Sequence, residues 1–342
     1  MQKLLCFSYF LCVHIYSFTI KWRRIRYIVV FKRKLLLIFV MSALASIEIR
    51  AQYDITLSHY FDLEPTFNPA AVGKRAVLNV TAAYAIEMAG FRHNPQTMVA
   101  GVDLPFYAMK QYHGAGIQLV NDQIGLFRHQ QLAGQYAFKL KLFGGTLGVG
   151  AQAGLLSETF DGSKLDLEDS SDPAFSSGEL TGQTLDVGFG LYYLRGPLYV
   201  GLSGQHLLAP LVELGETNEL QIDRSYYLTG GYNIRLRNPL LTIKPSFLVK
   251  TDLVGWRADV TGRLVYTTDN KVMYAGVTYS PTTSVTFLLG GSFQGIVVGY
   301  SYEVYTSAIN PANGSHELFI GYQTDINLVK KGRNRHQSVR IL

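Results

Sequence analysis

Cysteine is missing from most of this 342-residue chain. Both cysteines, Cys6 and Cys12, lie close to the N-terminus. Residues 52–342 therefore can form no disulfide and can carry no thiolate chemistry. A chain of this size that lacks disulfides needs another source of stability, and a closed β-sheet, which leaves no unpaired strand edge, can supply it.

Long apolar runs and charge are also scarce. After residue 51 no run of roughly 18 apolar residues occurs, so the sequence predicts no transmembrane helix there. Charged residues make up only 16% of the chain, whereas it contains 33 glycines and 22 tyrosines. This balance is too apolar for a disordered protein, and it is poor in charge for an ordinary cytosolic enzyme.

The first 51 residues have the pattern of a secretory leader. A basic KRK sequence (32–34) precedes an apolar run (35–47), and the small residue Ala51 follows. This order predicts a signal peptide that is cleaved after Ala51. A permanent membrane anchor is the alternative, although the run is short for a span. A second hypothesis, raised by residues 1–30, is that translation begins further in, near Val29 or Val30.

The charge of the chain changes meaning once this leader is set aside. The whole chain has a formal net charge of +6 and an isoelectric point near 9.1. Residues 1–51 hold nine of the 31 basic residues and one of the 25 acidic residues. A basic tail, 330–342, holds five more basic residues and no acid, so the body, 52–329, is acidic with a net charge of −7. The high isoelectric point is therefore no argument for nucleic-acid binding, and we expect none.

What the chain has in abundance is alternation of apolar and polar residues at every second position. In 256–266, for example, Arg257, Asp259 and Thr261 share one face, and apolar side chains share the other. Such a period predicts β-strands, because a helix would scatter both sets. Fourteen segments show it: 77–86, 95–104, 113–121, 127–138, 146–156, 183–194, 197–203, 225–235, 240–250, 256–266, 271–279, 284–291, 295–303 and 315–328.

The length and edges of these segments favour a membrane barrel over a soluble β-sandwich. Strands of soluble proteins average about five or six residues, whereas a tilted strand that crosses a bilayer needs about nine to eleven. Tyrosines edge several apolar faces: Tyr192, Tyr193, Tyr226, Tyr227, Tyr300 and Tyr302. We therefore predict an all-β fold, an antiparallel transmembrane β-barrel of about 14 strands that spans residues 52–329.

The lengths of the connections give the barrel an orientation. Short connections follow the even-numbered segments, and the long ones, 157–182, 204–224 and 304–314, follow odd-numbered segments. Outer-membrane barrels have short periplasmic turns and longer outer loops. The sequence thus predicts an outer-membrane location with both ends of the barrel sequence, and the basic tail, on the periplasmic side.

Adjacent Ser315, His316 and Glu317 offer the chemistry of a hydrolase but not its geometry. Neighbouring residues of a strand point to opposite faces, so Ser315 and Glu317 share a face that excludes His316. A nucleophile needs its base within hydrogen-bond reach. His206 could approach Ser315 from another strand, and this leaves an outer-membrane hydrolase as a minor alternative.

Two other polar groups admit more than one interpretation. The acid-rich loop 157–182 could attract calcium, but it lacks the EF-hand spacing, and we expect a solvated loop with no metal or cofactor. Five charged residues that face the barrel interior either line a pore or pair with one another and block it: Lys244, Lys250, Arg257, Asp259 and Arg263. The sequence leaves both possibilities open.

Short motifs recur along the chain in a specific order. They are TFNPAAVGK (66–74), NPQT (94–97), VDLP (102–105), GAGIQLVNDQIG (114–125), GLSGQHLL (201–208), YYLTGGY (226–232), PSFLVK (245–250), GYSYE (299–303) and GSHELFIGY (314–322). Together they resemble the PorP/SprF family of outer-membrane proteins, from the type IX secretion and gliding-motility machinery of Bacteroidota. The resemblance covers about residues 53–328. Two features depart from it: Glu303, where aspartate is usual, and a basic tail without a terminal aromatic residue.

The resemblance implies a non-enzymatic component that helps export cargo proteins or anchors them at the cell surface. Implied partners are outer-membrane lipid, periplasmic secretion or motility components, and the cargo. An outer-membrane transport channel for a small or hydrophobic solute is the alternative. Candidate contact or motif residues are Asn68, Pro69, Ala70, Gly73, Asn121, Asp122, Gly125, His206, Gly314, Ser315, His316 and Glu317.

Elementary backbone rules add two expectations for these motif residues. Pro69 disfavours helical backbone at Asn68, so we expect the chain to enter the first strand extended. Gly73 and Gly125 suit positions that need a positive φ.

Overall fold

The computed structural model describes residues 54–164, 178–215, 218–269, 271–307 and 313–326. The predicted leader, the basic tail and half of the acidic 157–182 loop, residues 165–177, lie outside these residues. Within these ranges no helix is long and apolar enough to cross a membrane. Helical structure there consists of three short 3₁₀ turns, Glu64–Thr66, Pro69–Ala71 and Gly162–Lys164.

A closed antiparallel barrel forms the body of the molecule. In chain order the strands are β1 Val77–Ile86, β2 Gln96–Ala108, β3 Gln111–Ile124, β4 Phe127–Leu142, β5 Gly145–Asp161, β6 Glu179–Arg195, β7 Leu198–Gln205, β8 Leu211–Leu214, β9 Asn218–Gln221, β10 Ser225–Tyr232, β11 Ile234–Arg235, β12 Leu241–Thr251, β13 Trp256–Thr267, β14 Lys271–Ser280, β15 Ser284–Phe293, β16 Ile296–Tyr305 and β17 Ser315–Asp325. β1 pairs with β17 and closes the sheet. If β10 and β11 are counted as one strand and the β8–β9 hairpin is set aside, fourteen strands surround the interior, which confirms the predicted fold.

Alternation decides which side chains face outward. In β4, Gln131, Ala133 and Gln135 are buried, whereas Leu132 and Tyr136 between them are 52% and 47% exposed. Exposed large apolar side chains recur in this way around the outer surface. An apolar outer face and a polar interior are the arrangement expected of a barrel surrounded by lipid.

The two ends of the barrel differ in their connections. At one end, the turn end, adjacent strands are joined by two-residue turns such as Met109–Lys110, Phe143–Gly144 and Gln294–Gly295. At the other, the loop end, lie the longer connections after β5, β7 and β16. The predicted parity of short and long connections is confirmed.

Three details differ from the sequence prediction. The segment 204–224, predicted as a loop, contains the β8–β9 hairpin, whose Val212 packs with Leu156 of β5. The predicted strand 225–235 is interrupted at Asn233. Finally, Tyr192 and Tyr227, predicted as interfacial aromatics, are both 5% exposed and point into the barrel. The sequence did not show whether these two tyrosines face lipid or the barrel interior, because tyrosine suits both a lipid interface and a packed interior.

Candidate functional site: a plug inside the barrel

Residues 54–76, which precede the first strand, lie within the barrel, and we call them the plug. At the loop end, the Lys250 ammonium donates to the Asp54 carbonyl oxygen at 2.9 Å. At the turn end, the Ile326 amide donates to the Ala76 carbonyl oxygen at 3.0 Å. The plug therefore enters at the loop end, crosses the interior and leaves at the turn end, where β1 begins.

The half of the plug nearer the turn end packs against glycines of the barrel wall. We call Gly114, Gly150 and Gly190 the glycine wall, because their Cα atoms face the plug. A Cβ at any of them would lie only 2.1–2.3 Å from a plug atom. The plug atoms concerned belong to Asn68, Ala70 and Val72. The wall is thus shaped to let the backbone of the NPAAVG motif approach the backbone of the strands.

Polar wall side chains satisfy the carbonyl groups of the plug. Gln135 Nε2 donates to the Pro65 carbonyl at 2.7 Å, and Ser203 Oγ donates to the Phe67 carbonyl at 2.6 Å. Lys139 Nζ donates to the Ala70 carbonyl at 3.0 Å. Because the plug has little regular secondary structure, its buried backbone needs such partners. The polar inner face predicted from alternation supplies them.

Motif residues Asn68 to Gly73 fix the shape of the plug. Asn68 is extended (φ −138°), as the following proline requires, and its side-chain oxygen accepts from the Ala70 amide. Pro69–Ala71 then form a 3₁₀ turn, so the expectation that this segment continues extended into β1 is wrong. The asparagine cap competes successfully with the extended chain because it satisfies a buried amide. Gly73 has a φ of 61°, as predicted.

Glu317 anchors the loop-end half of the plug. Its carboxylate accepts the Ser58 amide at 2.6 Å, the His59 amide at 2.9 Å and His59 Nδ1 at 2.6 Å. Glu317 and His59 are 3% and 0% exposed. A buried carboxylate with three donors is well satisfied, and charge-assisted hydrogen bonds of this kind are stronger than neutral ones.

A second anchor joins Asp54 to His206. His206 Nε2 lies 3.0 Å from Asp54 Oδ1, and Nδ1 lies 3.1 Å from Asp186 Oδ2. Burial disfavours the charged imidazole, but the charge of Asp54 and hydrogen bonds to both carboxylates outweigh it and raise the pKa of His206 to about 10. For Asp54, burial opposes ionisation, and the charge and hydrogen bond of His206 overcome it, so its pKa falls well below the usual range. The His206 imidazole is therefore positively charged at neutral pH, and it joins the two carboxylates.

Of the five inward charged residues, Arg257 and Asp259 pair with each other, as one of the two alternatives predicted, whereas Lys250 and Arg263 contact the plug. Lys250 Nζ binds the plug backbone, and the guanidinium of Arg263 stacks 3.3 Å from the ring centroid of Phe61 in the plug. Arg257 pairs with Asp259 at 3.0 Å and with Glu303 at 3.2 Å. The cavity beside the plug at His206 has a volume of about 40 Å³, room for a few water molecules at most.

The Ser315, His316 and Glu317 cluster has the predicted faces and no catalytic geometry. Ser315 Oγ accepts the Met88 amide and contacts the Tyr305 hydroxyl at 2.7 Å. His316 points the other way, toward the outer surface, where Nδ1 lies 2.7 Å from the Tyr300 hydroxyl. His206 is engaged with Asp54 and Asp186. The hydroxyl, the imidazole and the carboxylate are thus held by separate partners.

The remaining predicted residues lie around the loop end. Asn121 and Asp122 lie in the last residues of β3, near the turn to β4, where Asp122 accepts a hydrogen bond from Thr97. Gly125, with a φ of 63°, makes the tight turn to β4, as predicted. Gly314 has a φ of 62°, and its carbonyl accepts the Ala89 amide. In the part of the chain that the structure describes, no group of three or more His, Cys, Asp and Glu is placed to hold a metal ion.

The plug residues whose side chains bind the barrel wall were not identified from the sequence. Asp54, His59 and Glu64 were not singled out, although His59 and Glu64 are almost fully buried. A signal was present on the partner side: glycines recur at alternate positions in β3, β5 and β6, as in GAG, GVG and GFG. Glycines that share one face of a strand indicate the close approach of another backbone.

Fold and site together define a plugged β-barrel of the membrane type. The family described as "Type IX secretion system membrane protein PorP/SprF" matches residues 49–322. The chain belongs to this family. A comparison with curated proteins finds no significant match.

Solved structures with a similar chain course include three barrels. The "CymD monoaromatic hydrocarbon channel" is 14% identical, with 82% of this chain and 95% of that chain covered and a TM-score of 0.47. The Pseudomonas putida toluene transporter TodX is 9% identical, with coverage of 80% and 95% and a TM-score of 0.46. A Pseudomonas aeruginosa FadL homologue is 12% identical, with coverage of 76% and 93% and a TM-score of 0.44.

Proposed function

We propose that this protein is a non-enzymatic outer-membrane scaffold of the type IX secretion machinery. A cleaved leader delivers it across the inner membrane, and its barrel then helps export cargo proteins or anchors them at the cell surface. The family match supports the link to secretion, and the apolar outer face supports insertion in lipid. The loop end faces outward and receives cargo, and the turn end faces periplasmic components of the secretion or motility apparatus.

The contacts that hold the plug favour a scaffold function over a solute-channel function. The plug is fixed along its length by Glu317 and His206 at the loop end, by Gln135 and Ser203 in the middle, and by the glycine wall nearer the turn end. A plug with this many wall contacts is part of the packed interior. The cavity beside it, about 40 Å³ in volume, is far smaller than the roughly 300–1,000 Å³ of pockets that hold drug-sized ligands, which supports the scaffold.

Conductance of the purified protein separates the two functions. We expect the full chain in a planar bilayer to show no steady ion current, and a variant that lacks residues 54–75 to conduct. Steady currents through the intact protein would favour the transport channel.

Secretion itself is measured in cells. Deletion of the gene should reduce the surface display of at least one type IX cargo protein, and the wild-type chain should restore it. Unchanged display of all cargo in the deletion strain would contradict the proposal.

A further inference from the structure

The two ends of the barrel carry opposite charge. Among the residues that the structure describes, the exposed cations at the turn end are Arg75, Lys110, Lys141, Arg195, Arg235, Arg237 and Lys271, against two exposed acids, Asp269 and Asp325. At the loop end the described residues show the reverse: the exposed acids Glu179, Glu213, Glu219 and Asp223 face two exposed arginines, Arg92 and Arg224. Charge sorted in this way creates a positive field at the turn end alone.

The position of these cations within the rim decides what they can reach. Lys141 shares the inward face of β4 with Lys139, which contacts the plug. Arg235 pairs with Thr242 of β12, where even-numbered residues face inward, so it also stands on the inner side. Lipid headgroups surround the outer wall of a barrel and do not reach its inner rim. A macromolecule that covers the end of the barrel can reach it.

Two apolar side chains stand among the cations at the same end. Met109 is 92% exposed and Phe143 is 79% exposed, each at the tip of a two-residue turn. Their φ values, 49° and 48°, lie in the left-handed region. Asparagine or glycine is normally preferred there, so neither residue serves the turn. Large apolar side chains that the turn does not require, exposed beside a cationic rim, suit the anchors of a protein interface.

We propose that the turn end is a docking face for an acidic protein surface, which covers the inner rim and takes Met109 and Phe143 as apolar anchors. This inference rests on the proposed function, because it specifies the periplasmic contact of that scaffold. It adds the chemistry of the partner, namely carboxylates around a shallow apolar recess. Binding of this kind weakens with salt, since exposed charge pairs are screened.

The probe is poly-L-glutamate, a soluble acidic polypeptide, offered to the full chain in nanodiscs of zwitterionic lipid. We expect salt-dependent binding that falls at least tenfold in a variant with Lys110, Lys141, Arg235 and Arg237 each changed to Gln. The matched control, Arg92→Gln with Arg224→Gln at the loop end, should bind as the wild type does. Equal loss in the control, or no loss in the turn-end variant, would overturn the docking face.

A second variant separates docking from folding. Phe143→Asn suits the left-handed turn and should leave the unfolding temperature unchanged or raised, while weakening binding of a poly-(Glu, Tyr) copolymer that has both charge and rings. Vesicles of phosphatidylglycerol are the competing probe, and binding of vesicles without binding of either polypeptide would assign the face to lipid and refute the proposal. Purified protein is used throughout, so loss of cargo display in cells judges the secretion function separately.

Discussion

At the residue scale, Glu317 shows how one side chain of a strand can hold a segment more than 250 positions away in sequence. It binds two plug amides and the His59 ring; the bonds to His59 are buried and the bond to the Ser58 amide is partly buried. We expect Glu317→Ala to lower the free energy of unfolding by about 1–3 kcal/mol, because it strands buried donors. Urea unfolding in detergent micelles measures this difference.

The neighbouring His316 provides the control for Glu317. It lies on the outer face of the same strand and makes no contact with the plug. His316→Ala should change the free energy of unfolding by no more than about 0.5 kcal/mol. Similar losses in both variants would mean that the strand, and not the plug anchor, is what Glu317 stabilises.

His206 makes the loop-end anchor dependent on pH. Its pKa in the folded protein is raised to about 10, so the folded state binds this proton more tightly than the unfolded chain. The resulting stability is fully present below a pH of about 6.5, the ordinary histidine value, and is lost as the pH rises through about 10. Asp54, whose pKa is lowered, contributes above its ordinary value and loses its contribution only in acid.

Unfolding measured between pH 6 and pH 11 checks this anchor. The wild type should lose more stability over this range than Asp54→Asn, which lacks the charge that holds the proton on His206. The difference between the two cancels the ionisation of tyrosines that do not contact Asp54; because the Tyr227 hydroxyl donates to Asp54, both measurements are repeated in a Tyr227→Phe background. Parallel pH curves for the two proteins would show that the pair does not titrate as described.

At the element scale, the strands were predictable and the plug was not. The strands can be recognised in a single sequence because apolar and polar residues alternate along them. The alternation arises because one face of each strand meets the apolar surroundings and the other the polar interior. Most of the plug is surrounded by the barrel wall, and it is built from 3₁₀ turns and irregular chain, so it has no period. The β8–β9 hairpin escaped because its strands have only four residues each.

The site was predictable to the same extent. The shared face of Ser315 and Glu317 followed from alternation, and so did the inward position of Lys250 and Arg263. What these side chains bind could not be read from the sequence, because their partners come from a segment that shares no pattern with the strands. The inward glycines of the strands held a signal of close backbone approach, which the sequence-based prediction left unused.

The glycine wall yields the prediction that belongs to this scale. In Gly150→Val the new side chain would enter the space of Ala70, whose backbone nitrogen lies 2.3 Å from the Cβ position. Overpacking of this kind costs about 1–3 kcal/mol or more, and we expect it to push the plug from its seat. The variant should show both lower stability and ion conductance in a planar bilayer.

Gly262→Val is the matched control, since it makes the same change in a strand where the added Cβ meets nothing within 4 Å. It should remain closed to ions and as stable as the wild type. Conductance in both variants would indicate that the substitution disturbs the strand itself. A closed Gly150→Val barrel would show that the wall can yield without release of the plug.

At the scale of the whole molecule, the orientation in the outer membrane joins the plug, the charged ends and the proposed function. Because residues 52–342 contain no cysteine, single cysteines can report which end is exposed. Leu253, in the connection between β12 and β13 at the loop end, is 76% exposed, and Phe143 at the turn end is 79% exposed. We expect Leu253→Cys to react with a membrane-impermeant maleimide on intact cells, and Phe143→Cys to react at least tenfold less until the outer membrane is permeabilised. The reverse pattern would place the basic turn end at the cell surface, where it could not meet a periplasmic partner.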